Sequence, residues 1–190
     1  MSIRMTTKIC YLVHGFNVSD GGEKTTDTLR PYAEQAGYRV VEFDYRHAGL
    51  LSVRLCDKKL AMAFSNLAEP GSIAIGHSNG CAIVHLAAQY GAQFDQVVYI
   101  NPALNRDAEL APQVRAAHVW HSPSDKPVRL ARWLPNHVWG KMGATGYTGE
   151  DERYQNYNKE HDYGMISRTH SDVFSPEILA FYGPKIFAAL

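Results

Sequence analysis

The chain has 190 residues, 45% of them hydrophobic, and its 19 basic and 19 acidic side chains cancel to a formal net charge of zero. That balance advertises neither a nucleic-acid footprint nor a surface for an acidic substrate, and the length suits one domain, residues 1–190, with a substantial core. Cys10, Cys56 and Cys81 all lie in apolar surroundings, and an odd number leaves no complete disulfide framework. The apolar run before His14 is too short for a signal-peptide core, and no stretch reaches membrane-spanning length. A cytoplasmic protein with no membrane association is expected. Nothing in the sequence sets its oligomeric state.

Along the chain, KICYLVH is the first of several short apolar runs rich in Val, Ile and Tyr. Residues 25–36 follow with weak periodicity and Pro31 among them, which predicts a short or kinked helix. After a second run, YRVVEFDY, the residues Val53, Cys56, Leu60, Phe64 and Leu67 recur at steps of three or four. They predict one face of a helix that ends before Pro70-Gly71. A third run, SIAIGHS, leads into residues 80–89, apolar nearly all round and read as a short buried helix. QVVYINP and RAAHVWHS are the fourth and fifth runs, and residues 154–159 are the candidate for a last strand. Near the C-terminus Ser175 is placed to cap a helix with Pro176 in its first turn, and Pro184 is expected to bend or end it. The runs lack polar alternation, as strands buried on both faces do. Strand and helix in alternation predict an α/β fold: a mostly parallel sheet of about six strands in a three-layer sandwich, joined by right-handed crossovers. No internal repeat or linker-like tract argues for a second domain.

The third run ends in Gly76-His77-Ser78-Asn79-Gly80. A nucleophilic serine has to stand clear of its sheet, and a sharp turn from strand to helix achieves this only if its spatial neighbours have almost no side chain. Two glycines flanking Ser78 meet that demand, in the G-x-S-x-G pattern with a strand before it and a helix after it. The bland alternative is an ordinary tight turn that binds an anion at the helix N-terminus. A phosphate loop, however, would want more glycines and a lysine. Val13-His14-Gly15-Phe16 closes the first run, and the backbone N–H groups of Phe16 and Asn79 could then point at one developing oxyanion.

From residue 8 to the last helix the chain resembles the α/β-hydrolase superfamily, whose members carry an HG-x oxyanion loop, a nucleophile elbow, then an acid and a histidine in that order. The resemblance implies Ser78 as nucleophile, Phe16 and Asn79 as oxyanion donors, and Asp125, in the loop after HVWHSP, as the acid. The other reading of Asp125 is a turn-forming aspartate after Pro123. For the base, His170 lies just ahead of the terminal helix, where the family places its histidine. His161, in a polar run beside Asp162, is the alternative, and Asp162 is the alternative acid. His14 and His77 are read as structural. The histidines and cysteines show no metal-ligand spacing, so the expected chemistry needs neither metal nor cofactor.

Residues 101–115 are too few for the lid that many α/β-hydrolases insert, which points to a small, lidless member. The extra length lies between Asp125 and His170, where Trp133, Trp139 and Tyr147 either wall a substrate cleft or cover one end of the sheet. The expected function is a serine hydrolase acting on a carboxylic ester or thioester of a small-molecule or acylated substrate. Two alternatives stay open: a small-ligand-binding protein that keeps the fold without catalysis, and an amide or macromolecular-ester hydrolase.

Overall fold

Six parallel strands form one sheet in a computed structural model that describes residues 7–15, 20–45, 53–124, 140–164 and 169–190. The strands are β1 (Ile9–Val13), β2 (Arg39–Glu42), β3 (Ile73–His77), β4 (Gln96–Ile100), β5 (Ala116–His121) and β6 (Tyr154–Asn158). Their order across the sheet is β2-β1-β3-β4-β5-β6. The chain therefore steps outward to β2, returns past β1 to β3, and then runs in sequence to β6. The reversal leaves a crevice beyond the carboxyl ends of β1 and β3, the place where open α/β sheets bind their ligands.

Every residue of β1, β3, β4 and β5 is buried, which is why these strands read as continuous apolar runs. Alternate side chains point to opposite faces. Tyr11, Ala74, Val97, Tyr99 and Val119 join a core covered by the helices α2 (Val53–Leu67) and α3 (Asn79–Gln89). Leu12, Ile75, Val98, Ile100 and Trp120 join a second core on the other face. That face is covered by α1 (Arg30–Gln35) and by the C-terminal helix, Pro176–Ala188, here called α5. A short helix, α4 (Met142–Thr145), precedes β6. Each fully buried Val, Leu or Ile contributes roughly 1.5–3 kcal/mol of transfer free energy, so the two cores dominate the stabilisation.

Both edge strands carry exposed polar residues. β2 carries exposed Arg39 and Glu42 at its ends, and β6 exposes Gln155 and Asn156. The first connection is a 3₁₀ turn, Thr26–Leu29, running into α1 with Pro31 in its opening turn, so the proline starts the helix rather than kinking it.

Two expectations need correction. Among the described side chains of α2, Asp57, Ala61 and Phe64 face inward, with Leu60 partly buried, whereas Leu67 is exposed; the side chains of Val53 and Cys56 lie outside the described residues. Of the two outcomes expected at Pro184, bending or ending, the ending is excluded, because the last helix continues to Ala188. Pro184 and Ala180, whose carbonyl the proline leaves unpaired, are both exposed, so water can satisfy the freed oxygen. Ser175 takes the N-cap position without a side-chain bond.

Candidate active site

Ser78 sits between β3 and α3 at φ 54° and ψ −120°, a region that residues with a Cβ rarely enter and that costs about 1–3 kcal/mol. Close packing enforces it. A Cβ on Gly76 would lie 2.7 Å from the Cys81 nitrogen, and one on Gly80 would lie 2.3 Å from the carbonyl oxygens of both Val13 and His14. The helix thus enters directly against β1, and the turn has no room to relax. Ser78 N–H donates to the Ile100 carbonyl (3.0 Å), while its own carbonyl accepts from Cys81 and Ala103 (both 3.2 Å). With its backbone so bound, the half-buried serine presents its side chain beside Gly15, where an added Cβ would come within 3.2 Å of Ser78 Cβ.

The loop leading to Phe16 is held from below. The buried His14 ring stacks on Tyr45 at 4.1 Å, and the Tyr45 hydroxyl shares its proton between the carbonyls of His14 (2.9 Å) and Gly15 (2.8 Å). Burial raises the Tyr45 phenol well above its usual range, so it remains a donor. Phe16 itself, like Asp125, Trp133 and Trp139, lies outside the described residues.

Asn79 is 1% exposed, and its Nδ2 donates to Asp57 Oδ1 at 2.8 Å. This joins the start of α3 to the middle of α2. Burial pushes the Asp57 carboxyl up from 3.8 to about 6, with the bond from Asn79 opposing the rise.

His170 lies ahead of a 3₁₀ turn, Asp172–Phe174, that leads into α5. Its ring is 4.9 Å from that of His77, the neighbour of Ser78, which places the His170 loop close to the elbow. Two side chains donate to the His170 carbonyl: His77 Nε2 at 3.2 Å and Asn101 Nδ2 at 2.5 Å. A carbonyl only accepts, so His77 carries its proton on Nε2. Burial, helped by the neighbouring His170, holds His77 well below its ordinary value and therefore neutral. Asn101 is fully buried in a left-handed conformation at φ 46°, and its Oδ1 accepts from the Lys159 ammonium at 2.6 Å.

The alternative base is placed differently. His161 has 85% of its side chain exposed and pairs with Asp162 at 3.0 Å on the surface. The loop towards position 125 leaves β5 through Ser122 and Ser124, and both hold Glu160: Ser122 through its hydroxyl and Ser124 through its N–H at 2.8 Å. Burial would raise the Glu160 carboxyl, but these donors outweigh it and keep the group below its usual range. Tyr147 stacks on Tyr154 at 3.8 Å against the core, so it covers the sheet rather than lining a cleft. Among the described residues no group of three or more His, Cys, Asp or Glu side chains is placed to hold a metal. No helix among them is long and apolar enough to cross a membrane.

Sequence reasoning did not single out Asp57, Asn101, Lys159 or Glu160. Asn101-Pro102 did carry a turn signal after the fourth run. Asp57 fell between the apolar positions counted on α2, and nothing local marks Lys159 or Glu160.

No protein-family model matches the chain, and no curated protein matches it. Solved structures do. Alpha/beta hydrolase domain-containing protein 10 from mouse superposes with a TM-score of 0.65 at 11% identity, over 97% of this chain and 90% of that one. An esterase domain from a Rhodothermus marinus protein gives 0.59 at 18% identity, over 98% and 88%. The monoacylglycerol lipase of Paleococcus ferrophilus gives 0.57 at 14%, over 95% and 91%. With its six-stranded parallel sheet between helical layers, the chain has the α/β-hydrolase fold in a minimal form.

Proposed function

We propose that this α/β-hydrolase-fold protein is a serine hydrolase that cleaves a carboxylic ester or thioester through an acyl-enzyme intermediate. The observation that carries the reading is the strained turn at Ser78, wedged among Gly15, Gly76 and Gly80 with the His170 loop against its neighbour His77. Strain of this kind persists where the surrounding packing over-determines it, and it is concentrated at functional sites. The esterase and lipase among the similar folds support ester chemistry in general.

In this mechanism the His170 imidazole takes the Ser78 hydroxyl proton as Oγ bonds to the substrate carbonyl carbon. The carbonyl π pair moves onto oxygen, and the backbone N–H groups of Phe16 and Asn79 receive that charge. When the intermediate collapses, the imidazolium protonates the departing alcohol or thiol, leaving an acyl-Ser78. Water, deprotonated by His170, repeats the sequence on the acyl group and releases a carboxylic acid. Asp125 orients the imidazole and stabilises its charged form. His77 is unsuited to the base role, because its Nε2 proton is committed to the His170 carbonyl and burial keeps the ring neutral.

The test is turnover of p-nitrophenyl esters and acyl-thioesters, together with covalent labelling by a fluorophosphonate. Wild-type protein is expected to label at Ser78, and Ser78→Ala is expected to lose labelling and at least about 10⁴-fold in kcat while keeping its fold. Wild-type protein that neither labels nor turns over either substrate would overturn the proposal.

A further inference from the structure

Lys159 is 2% exposed, at the carboxyl end of β6. Taking an ammonium out of water costs several kcal/mol unless it is well bonded, so its surroundings are informative. Its backbone is fixed on two sides: the N–H donates to the His121 carbonyl (3.0 Å), and the carbonyl accepts from the Tyr182 hydroxyl of α5 (3.1 Å). From that anchored position Nζ reaches Asn101 Oδ1 at 2.6 Å.

The chemistry of the three groups fixes the geometry of the chain they form. An ammonium can only donate and a peptide carbonyl can only accept, whereas an amide side chain does both at distinct atoms. Asn101 stands between the Lys159 ammonium and the His170 carbonyl, so its oxygen must face Lys159 and its NH₂ must face His170. A flip would set donor against donor and acceptor against acceptor. Asn101 is itself held, buried and left-handed, with its N–H on the Trp120 carbonyl (2.9 Å). Asparagine is among the few non-glycine residues that tolerate this conformation while supplying an amide.

We propose that Lys159 and Asn101 are positioning residues for the base: Lys159 sets the orientation of the Asn101 amide, and that amide fixes the backbone of His170. The proposal rests on the serine-hydrolase reading and extends it to two residues that touch no substrate. Proton transfer from Ser78 depends on where the imidazole sits, and a displacement of about 1 Å from a remote change can reduce turnover about 10²-fold.

Asn101→Asp provides the sharpest test. It matches asparagine in size, tolerates the left-handed conformation and still accepts from Lys159, but it has no N–H for the His170 carbonyl. With p-nitrophenyl acetate, kcat is expected to fall about 10²-fold and KM to stay within about twofold, with a matching loss in the rate of fluorophosphonate labelling at Ser78. Lys159→Met should lower kcat comparably. In an Asn101→Ala background it should lower kcat less than about twofold further, because the amide that Lys159 orients is already gone. The double variant removes the buried charge together with the amide it binds, and circular dichroism is expected to show it folded. Should Lys159→Met fail to fold alone, Asn101→Asp decides the matter. Wild-type kcat in Asn101→Asp, or losses that multiply in the double variant, would overturn the relay while the hydrolase reading stands. Wild-type protein that does not label at Ser78 would overturn both.

Discussion

Replacing Asp57 with asparagine should stabilise the protein at neutral and alkaline pH, although it removes a buried, hydrogen-bonded carboxylate. Burial raises this carboxyl from 3.8 to about 6, so the folded protein keeps a proton there that the unfolded chain has already released. Between those two values the folded state binds more protons, and stability falls as pH rises. Above about pH 6 the whole penalty is present, worth about 3 kcal/mol from the separation of the two values, and below about pH 3.8 it vanishes. The bond from Asn79 Nδ2 to Asp57 Oδ1 is not lost in the variant, because an asparagine oxygen accepts it as well. Asp57→Asn should therefore exceed wild type by up to about 3 kcal/mol near pH 8, a rise of roughly 6–12 °C in Tm for a chain of this size. The advantage should shrink through pH 6 and disappear near pH 4. Thermal and urea unfolding of both proteins across that range measures it, since every other titrating group is common to the two. A difference independent of pH, or a less stable variant at pH 8, would refute the argument.

Gly80→Ala should destabilise by more than about 4 kcal/mol or prevent folding, because its Cβ would sit 2.3 Å from two carbonyl oxygens; soluble yield and circular dichroism report it, and a normally stable variant would move the elbow elsewhere. Arg153→Lys should lose about 1–3 kcal/mol in urea unfolding. The Arg153 guanidinium donates to the carbonyls of Leu110 (3.1 Å), Ala111 (3.1 Å) and Val114 (2.9 Å) while pairing with Asp151 (2.6 Å), and a single ammonium cannot span that set. Glu160→Ala should lower ester turnover by about tenfold, because the loop towards Asp125 loses its anchor. Glu160→Gln should retain most of the rate, since the Ser122 hydroxyl and the Ser124 N–H both meet the same oxygen, Oε1. Equal losses in the two Glu160 variants would mean that the charge, not the anchor, matters.

The central strands were legible in the sequence because burial on both faces demands uninterrupted apolar residues, as in QVVYI of β4. β6, YQNYN, was placed within one residue although it is an edge strand with three of its five residues polar and carries little of that apolar signal. The elbow was legible for a steric reason, since only glycine fits where Gly76 and Gly80 stand, and that requirement is local to five residues. On α2 the periodicity places Leu60 and Phe64 on the core but not Leu67, and it passes over an inward position filled by an aspartate whose bond to Asn79 exists only once α2 and α3 have packed. Lys159 and Asn101 were invisible for the same reason. They are 58 residues apart, each polar and unremarkable alone, and they acquire meaning only when Lys159, beyond the end of β6, reaches past β5 to Asn101, beyond the end of β4.

The polar edge strands also bear on how copies of the folded chain behave towards one another. With a formal net charge of zero near neutral pH, the protein has no global repulsion to hold molecules apart in concentrated solution. Protection against strand-to-strand growth then falls to the edges themselves. At one margin of the sheet Arg39 is paired with Glu69 (3.1 Å) and Glu42 with Arg30, so an approaching strand would have to strip these ions of water before it could bond to β2. At the other, Gln155 and Asn156 offer no apolar surface to reward docking on β6. Among the described residues, both margins of the sheet thus present polar side chains that disfavour the lateral addition of another strand.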